Sequence, residues 1–131
     1  MSDHPKIMIA DDEQESIDFV VNTFAETDYE IICASDGAEA LSKAQKEKPD
    51  LIVLDVQMPK MSGFEVFHKL RGDAQFTDTP IVMLTGIGGR TGVKIDGQDM
   101  GDYLGSEPDA YIDKPIEPII LKQTVNKLLK K

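Results

Sequence analysis

The chain has 131 residues, 40% of them hydrophobic and 29% charged, a mix and length that predict one globular domain with no room for a separate output domain of ordinary size. Fourteen basic against 24 acidic side chains give a net charge of −10, which argues against a nucleic-acid backbone binder. No apolar run approaches a membrane span, the start Met1-Ser2-Asp3-His4-Pro5 lacks a signal-peptide pattern, and the single cysteine, Cys33, fits a reducing cytoplasm.

The elements follow in alternation. Ile7-Met8-Ile9-Ala10 predicts a short strand that ends at the acidic run Asp11-Asp12-Glu13. Ile17, Val20, Val21 and Phe24 recur at helical spacing from about Gln14. Glu30–Ala34 predicts a second strand, with Cys33 as a small buried hydrophobe in it. Asp36 and Glu39 form a capping-box pattern for a helix through Leu41 and Ala44, which Pro49-Asp50 ends. Leu51-Ile52-Val53-Leu54 is apolar at every position, the pattern of a central parallel strand covered on both faces. Ser62 and Glu65 repeat the capping-box pattern before a helix through Phe67 and Leu70.

Pro80 precedes a fourth strand, Ile81-Val82-Met83-Leu84, and Ala110-Tyr111-Ile112 is a short fifth. Pro118 suits the first turn of a last helix with the stripe Leu121, Val125, Leu128 and Leu129. The cations Lys122, Lys127, Lys130 and Lys131 suit its dipole. Five strands alternating with helices predict a single α/β domain with a parallel sheet and helices on both faces. His4 and His68 have no partner at metal-ligand spacing, so no zinc site is expected. Met58 and Met61 read as loop packing.

In a parallel sheet the residues that end the strands share one edge, where ligands bind. Here these are Asp11 and Asp12, Asp55, Thr85, and Asp113-Lys114. Carboxylates gathered there repel one another and favour a bound hard cation such as Mg²⁺. With a carboxylate nucleophile, a lysine and a hydroxyl, they form a kit for making an aspartyl-phosphate. Each residue also has a bland reading: Asp12 as a helix N-cap, Thr85 as a strand former, Tyr111 as packing, Lys114 as a solvated lysine. Asp55, a carboxylate closing a wholly apolar strand, is the hardest to read that way.

Asp11-Asp12, Asp55, Thr85 and Lys114-Pro115, in this order, resemble the signature of the response-regulator receiver domain. Leu54-Asp55-Val56-Gln57-Met58-Pro59-Lys60-Met61-Ser62-Gly63 is similar to that family's phosphoacceptor loop, and Asp36-Gly37-Ala38-Glu39-Ala40-Leu41 to its second-helix entry. The resemblance implies a CheY-like, flavodoxin-like doubly wound fold with strand order 2-1-3-4-5 over residues 1–131, without an output domain. It implies that Asp55 takes a phosphoryl group from a sensor histidine kinase or phosphotransfer domain, with Mg²⁺ or Mn²⁺ held by Asp11, Asp12, Asp55 and the backbone carbonyl of Gln57. Lys114, before a cis peptide, would bind the phosphoryl oxygens. Thr85 and Tyr111 would switch, and Gln57 and Ile87 would tune dephosphorylation. The implied protein is a cytoplasmic, monomeric two-component phosphoprotein that is no enzyme beyond its own phosphorylation and dephosphorylation. It binds a partner protein, with no nucleic acid or membrane as target.

The chain departs from the family after Thr85. Gly86 stands where alanine is usual, and seven of the 10 glycines lie from Gly86 to Gly105. Each costs ~1 kcal/mol in a helix relative to alanine, so the family's fourth helix is expected to be short, irregular or absent. A turn around Gln98–Leu104, a loop with its own fold and a loop ordered by a partner all remain open. Two other functions compete with the phosphorylated switch. One is a constitutive docking module using the glycine-rich loop. The other is a Mg²⁺-dependent aspartate-nucleophile phosphatase, which would want a second acid where Gln57 stands.

Overall fold

In the computed structural model the described residues are 5–56, 58, 61–85, 109–113 and 116–130, the last with its backbone only. In chain order they form β1 (Lys6–Ala10), α1 (Gln14–Thr23), β2 (Glu30–Ala34), α2 (Gly37–Glu47), β3 (Leu51–Asp55), α3 (Gly63–Arg71), a 3₁₀ turn (Ala74–Phe76), β4 (Ile81–Thr85), β5 (Ala110–Asp113) and α4 (Pro118–Lys130). The five strands make one sheet in the order β2-β1-β3-β4-β5, every neighbouring pair parallel. The expected order and fold class are therefore present. The expectation for the helix between β4 and β5 falls on residues 86–108, outside the described residues.

Alternation along each strand sorts the core into two layers. Met8, Ala10, Ile52, Leu54 and Met83 face α2 and α3, where Ala40, Ala44, Val66, Phe67 and Leu70 meet them. Ile7, Ile9, Val53 and Leu84 face α1 and α4, against Ile17, Val20, Leu121 and Val125. All of Leu51–Asp55 and Ile81–Thr85 is buried, as a central strand covered on both faces requires. Truncating any one of Leu51, Ile52 or Leu54 to alanine should cost about 2–5 kcal/mol, because each is fully buried between the two layers.

Local chemistry sets the helix starts. Ser62 and Glu65 make a complete capping box: the serine hydroxyl accepts from the Glu65 amide and the Glu65 carboxylate from the Ser62 amide, both at 3.3 Å. At α2 the cap is half of that pattern. The Asp36 side chain accepts from the Glu39 amide at 2.8 Å, but Glu39 reaches past the cap to the amide and hydroxyl of Ser35, at 2.7 and 2.9 Å. Pro118 opens α4 at the position where a missing N–H costs nothing.

Two side chains differ from expectation. Cys33 is only half-buried, because β2 is an edge strand with one neighbour; burial pushes its thiol upward while Lys43 pulls against that. Val21 lies within the helical stripe yet is 36% exposed, beyond the sector that meets the sheet. Among the described residues no helix is long and apolar enough to cross a membrane.

Candidate functional site

The carboxyl edge of β1 and β3 holds the acids. The Asp11 amide donates to the Ala34 carbonyl at 3.0 Å, extending the β1–β2 ladder one residue beyond Ala10. Its carboxylate Oδ1 accepts from the Glu13 amide at 2.9 Å, a local turn that swings the chain into α1. Asp11 is thereby fully buried, whereas Asp12 is exposed at the mouth. The helix cap is Glu13, without a side-chain cap bond, so Asp12 is not spent on capping.

Asp55 is the last residue of the central strand, beside Leu84 of β4, and is 3% exposed. The chain after it is held closely. The Val56 amide donates to the Leu84 carbonyl at 3.0 Å, and the Val56 carbonyl accepts from the Gly63 amide at 2.9 Å. Gly63 packs so tightly that an added Cβ would overlap the carbonyl oxygen of Asp55 and lie 2.9 Å from its carbonyl carbon. Gly37, opening α2, is as close to Met61 from the other side: a Cβ there would lie 2.6 Å from the Met61 Cβ. Two helix starts thus brace Asp55 and Val56 at one point and Met61 at another.

One carboxylate oxygen from each of Asp11, Asp12 and Asp55 falls in a group whose members all lie within 4.8 Å of one another. Charges at that spacing repel by about 3 kcal/mol per pair at an effective dielectric of about 20. An all-oxygen, two-thirds buried donor set with no sulfur or imidazole suits a small hard divalent cation and not zinc. The residues present fit Mg²⁺ or Mn²⁺.

Across β4 the next strand ends add two polar groups. Thr85, 5% exposed, is the register partner of Asp113, and its hydroxyl donates to Asp113 Oδ1 at 2.5 Å. Tyr111 pairs with Met83 in β5 and is half-buried against the α2–α3 layer. The structure therefore brings Asp11, Asp12 and Asp55 together and sets Thr85 one strand further along the same edge. Lys114, Gln57 and Ile87 lie outside the described residues. The Asp113 contact was not foreseen: Asp113 stands visibly at a strand end, but only the β4–β5 register shows that it faces Thr85.

A family model for the response regulator receiver domain matches residues 7–126. The alkaline phosphatase synthesis transcriptional regulatory protein PhoP of Bacillus subtilis is 39% identical over 128 residues, which cover 96% of this chain and 49% of that protein. The probable transcriptional regulator ycf27 of Cyanophora paradoxa is 36% identical over 126 residues, 96% of this chain and 48% of that one. The chain thus spans about half the length of these curated relatives. Among solved structures, the chemotaxis protein CheY4 of Vibrio cholerae superposes with a TM-score of 0.81 at 34% identity, covering 96% of this chain and 99% of that one. With a parallel sheet in the order 2-1-3-4-5 and three acids gathered at its carboxyl edge, the chain belongs to the response regulator receiver domain family.

Proposed function

We propose that this receiver domain accepts a phosphoryl group on Asp55 from the phosphohistidine of a sensor histidine kinase or phosphotransfer domain, and so switches its binding to a partner protein. The observation that carries the reading is the buried Asp55 carboxylate at the end of the central strand, grouped with Asp11 and Asp12. Asp55 attacks phosphorus through one carboxylate oxygen. The P–O bond forms as the P–N bond breaks, and the electron pair stays on the donor imidazole. The apolar strand and the Gly63 contact fix the Asp55 backbone from which the attacking carboxylate projects, and positioning supplies most of the rate of phosphoryl transfer.

Asp11, Asp12 and Asp55, with the backbone carbonyl of Gln57, would hold Mg²⁺ or Mn²⁺. When bound, the cation neutralises the carboxylates and the phosphoryl oxygens. Lys114 pairs with those oxygens as a point charge, Thr85 donates its hydroxyl to one of them, and Tyr111 follows Thr85 inward. Gln57 and Ile87 tune the loss of the phosphoryl group to water. The domain turns over no separate substrate. It works as a monomer, in the cytoplasm where kinase phosphodonors are charged by ATP.

Incubation with acetyl phosphate and Mg²⁺, followed by intact mass, tests this. One phosphoryl group on the wild type, none on Asp55→Asn and none after chelation are expected. An unlabelled wild type leaves the constitutive docking module as the better reading.

A further inference from the structure

We propose that Asp113 is a latch on the Thr85 hydroxyl, a positioning residue that sets how readily the receiver switches. This rests on the phosphoacceptor reading of Asp55. The geometry is specific to two strand ends. Thr85 and Asp113 are direct partners in the parallel β4–β5 register, and Thr85 Oγ1 donates to Asp113 Oδ1 at 2.5 Å. A hydroxyl that donates to a carboxylate makes a charge-assisted hydrogen bond.

A threonine hydroxyl has one proton to donate. While Asp113 accepts it, an oxygen on Asp55 cannot. Thr85 is also β-branched and buried, so its χ1 is confined to a few staggered wells rather than a continuum. The two acceptors therefore compete for one donor through discrete positions of one side chain, which makes a two-state element. Asp55 lies beside Leu84, the residue before Thr85, so both acceptors sit next to the carboxyl end of β4. Whatever free energy the Asp113 contact contributes is subtracted from the switched state, and a ligand at Asp55 must exceed it to shift the population. Asp113 thereby keeps the resting state resting. Tyr111, two residues earlier on the same face of β5, shares the strand that the latch ties down.

The competing account is mechanical: the contact only braces the edge strand β5. The two accounts separate with beryllofluoride, a phosphoryl mimic, titrated with Mg²⁺ into the full chain and read from the amide signals of Thr85 and Tyr111. Asp113→Ala should bind it about 3- to 10-fold more tightly than wild type, with Asp113→Asn, a neutral and weaker acceptor, in between. In a Thr85→Val background the Asp113→Ala gain should vanish, because the latch acts only through the hydroxyl. Unchanged affinity in Asp113→Ala, with lower thermal stability alone, overturns the latch. So does a gain that persists in Thr85→Val, which would mean direct repulsion of the anion by the carboxylate. If Asp113→Ala fails to fold, the isosteric Asp113→Asn carries the same comparison. Wild type that shows no Asp55-dependent beryllofluoride binding overturns the phosphoacceptor reading itself, and the latch with it.

Discussion

The two edges of the sheet use the same residue type to opposite ends. At the amino edge Asp50, Glu47 and Asp109 are each matched by a donor. The Asp50 carboxylate accepts from the Lys6 amide at 2.7 Å, and the Lys6 ammonium meets Glu47 at 3.3 Å. Asp109 Oδ2 takes both the Ile81 amide at 2.8 Å and the Arg71 guanidinium at 2.7 Å. Arg71 also donates to the carbonyls of Phe76 and Thr79, at 3.0 and 2.8 Å, and its guanidinium lies 5.2 Å from the Phe67 ring centre. At the carboxyl edge Asp11, Asp12 and Asp55 are set against one another. One edge joins strands, helix and turn by pairing opposite charges. The other stores repulsion that a cation and a phosphoryl group can relieve. The fold tolerates the second because the first, and the apolar core between them, hold the strands in register.

Several substitutions break or sharpen that contrast. The largest effect is expected from Gly63→Ala. Its Cβ has to displace the Asp55 backbone, so a loss of about 2–4 kcal/mol and near-complete loss of acetyl phosphate labelling should appear together in denaturation and mass measurements. Arg71→Met should cost about 2–3 kcal/mol, because a part-buried cation leaves two carbonyls and Asp109 without it. Labelling of the folded fraction should be unaffected. A labelling defect without a stability loss would show that the two edges are not separate in function.

Asp55→Asn should abolish labelling yet raise stability by about 1 kcal/mol in the absence of divalent cations, with the gain shrinking as Mg²⁺ is added. A destabilised Asn variant under chelation would contradict stored repulsion. The smallest effect belongs to Glu39, an acid near the carboxyl edge that is paired locally. The amide and hydroxyl of Ser35, helped by Lys43, hold its carboxyl below the usual carboxylate range. A depressed value contributes stability above the ordinary carboxylate range and loses it as pH falls through the folded value. Glu39→Gln should therefore cost only about a few tenths of a kcal/mol at neutral pH, since the group is exposed, and nothing in strong acid. Urea midpoints at the two pH values measure it.

Much of this was readable in the residues alone, and where it was not the cause is physical. Leu51–Leu54 showed a strand buried on both faces, and Ser62 with Glu65 showed a helix start, because both signals are local. The strand order followed from the family signature, since periodicity carries no information on which strands adjoin. The 3₁₀ turn Ala74–Phe76 was not anticipated, although Phe76 is 1% exposed: three residues are too few to display a period. Cys33 was expected inside because nothing in Glu30–Ala34 marks it as an edge. The acid cluster was legible because strand ends in a parallel sheet converge, whereas the Thr85–Asp113 contact depends on a register offset between segments more than 25 residues apart.

The bare α-carbons of Gly37 and Gly63 also bear on engineering. Asp55, Val56 and Met61 meet the first turns of two helices with less clearance than a methyl group. A reporter peptide, fluorophore tag or grafted recognition loop inserted beside either glycine would have to push a helix off the sheet. The turn at Ala25–Asp28, exposed throughout and remote from both braces, is where such a graft belongs.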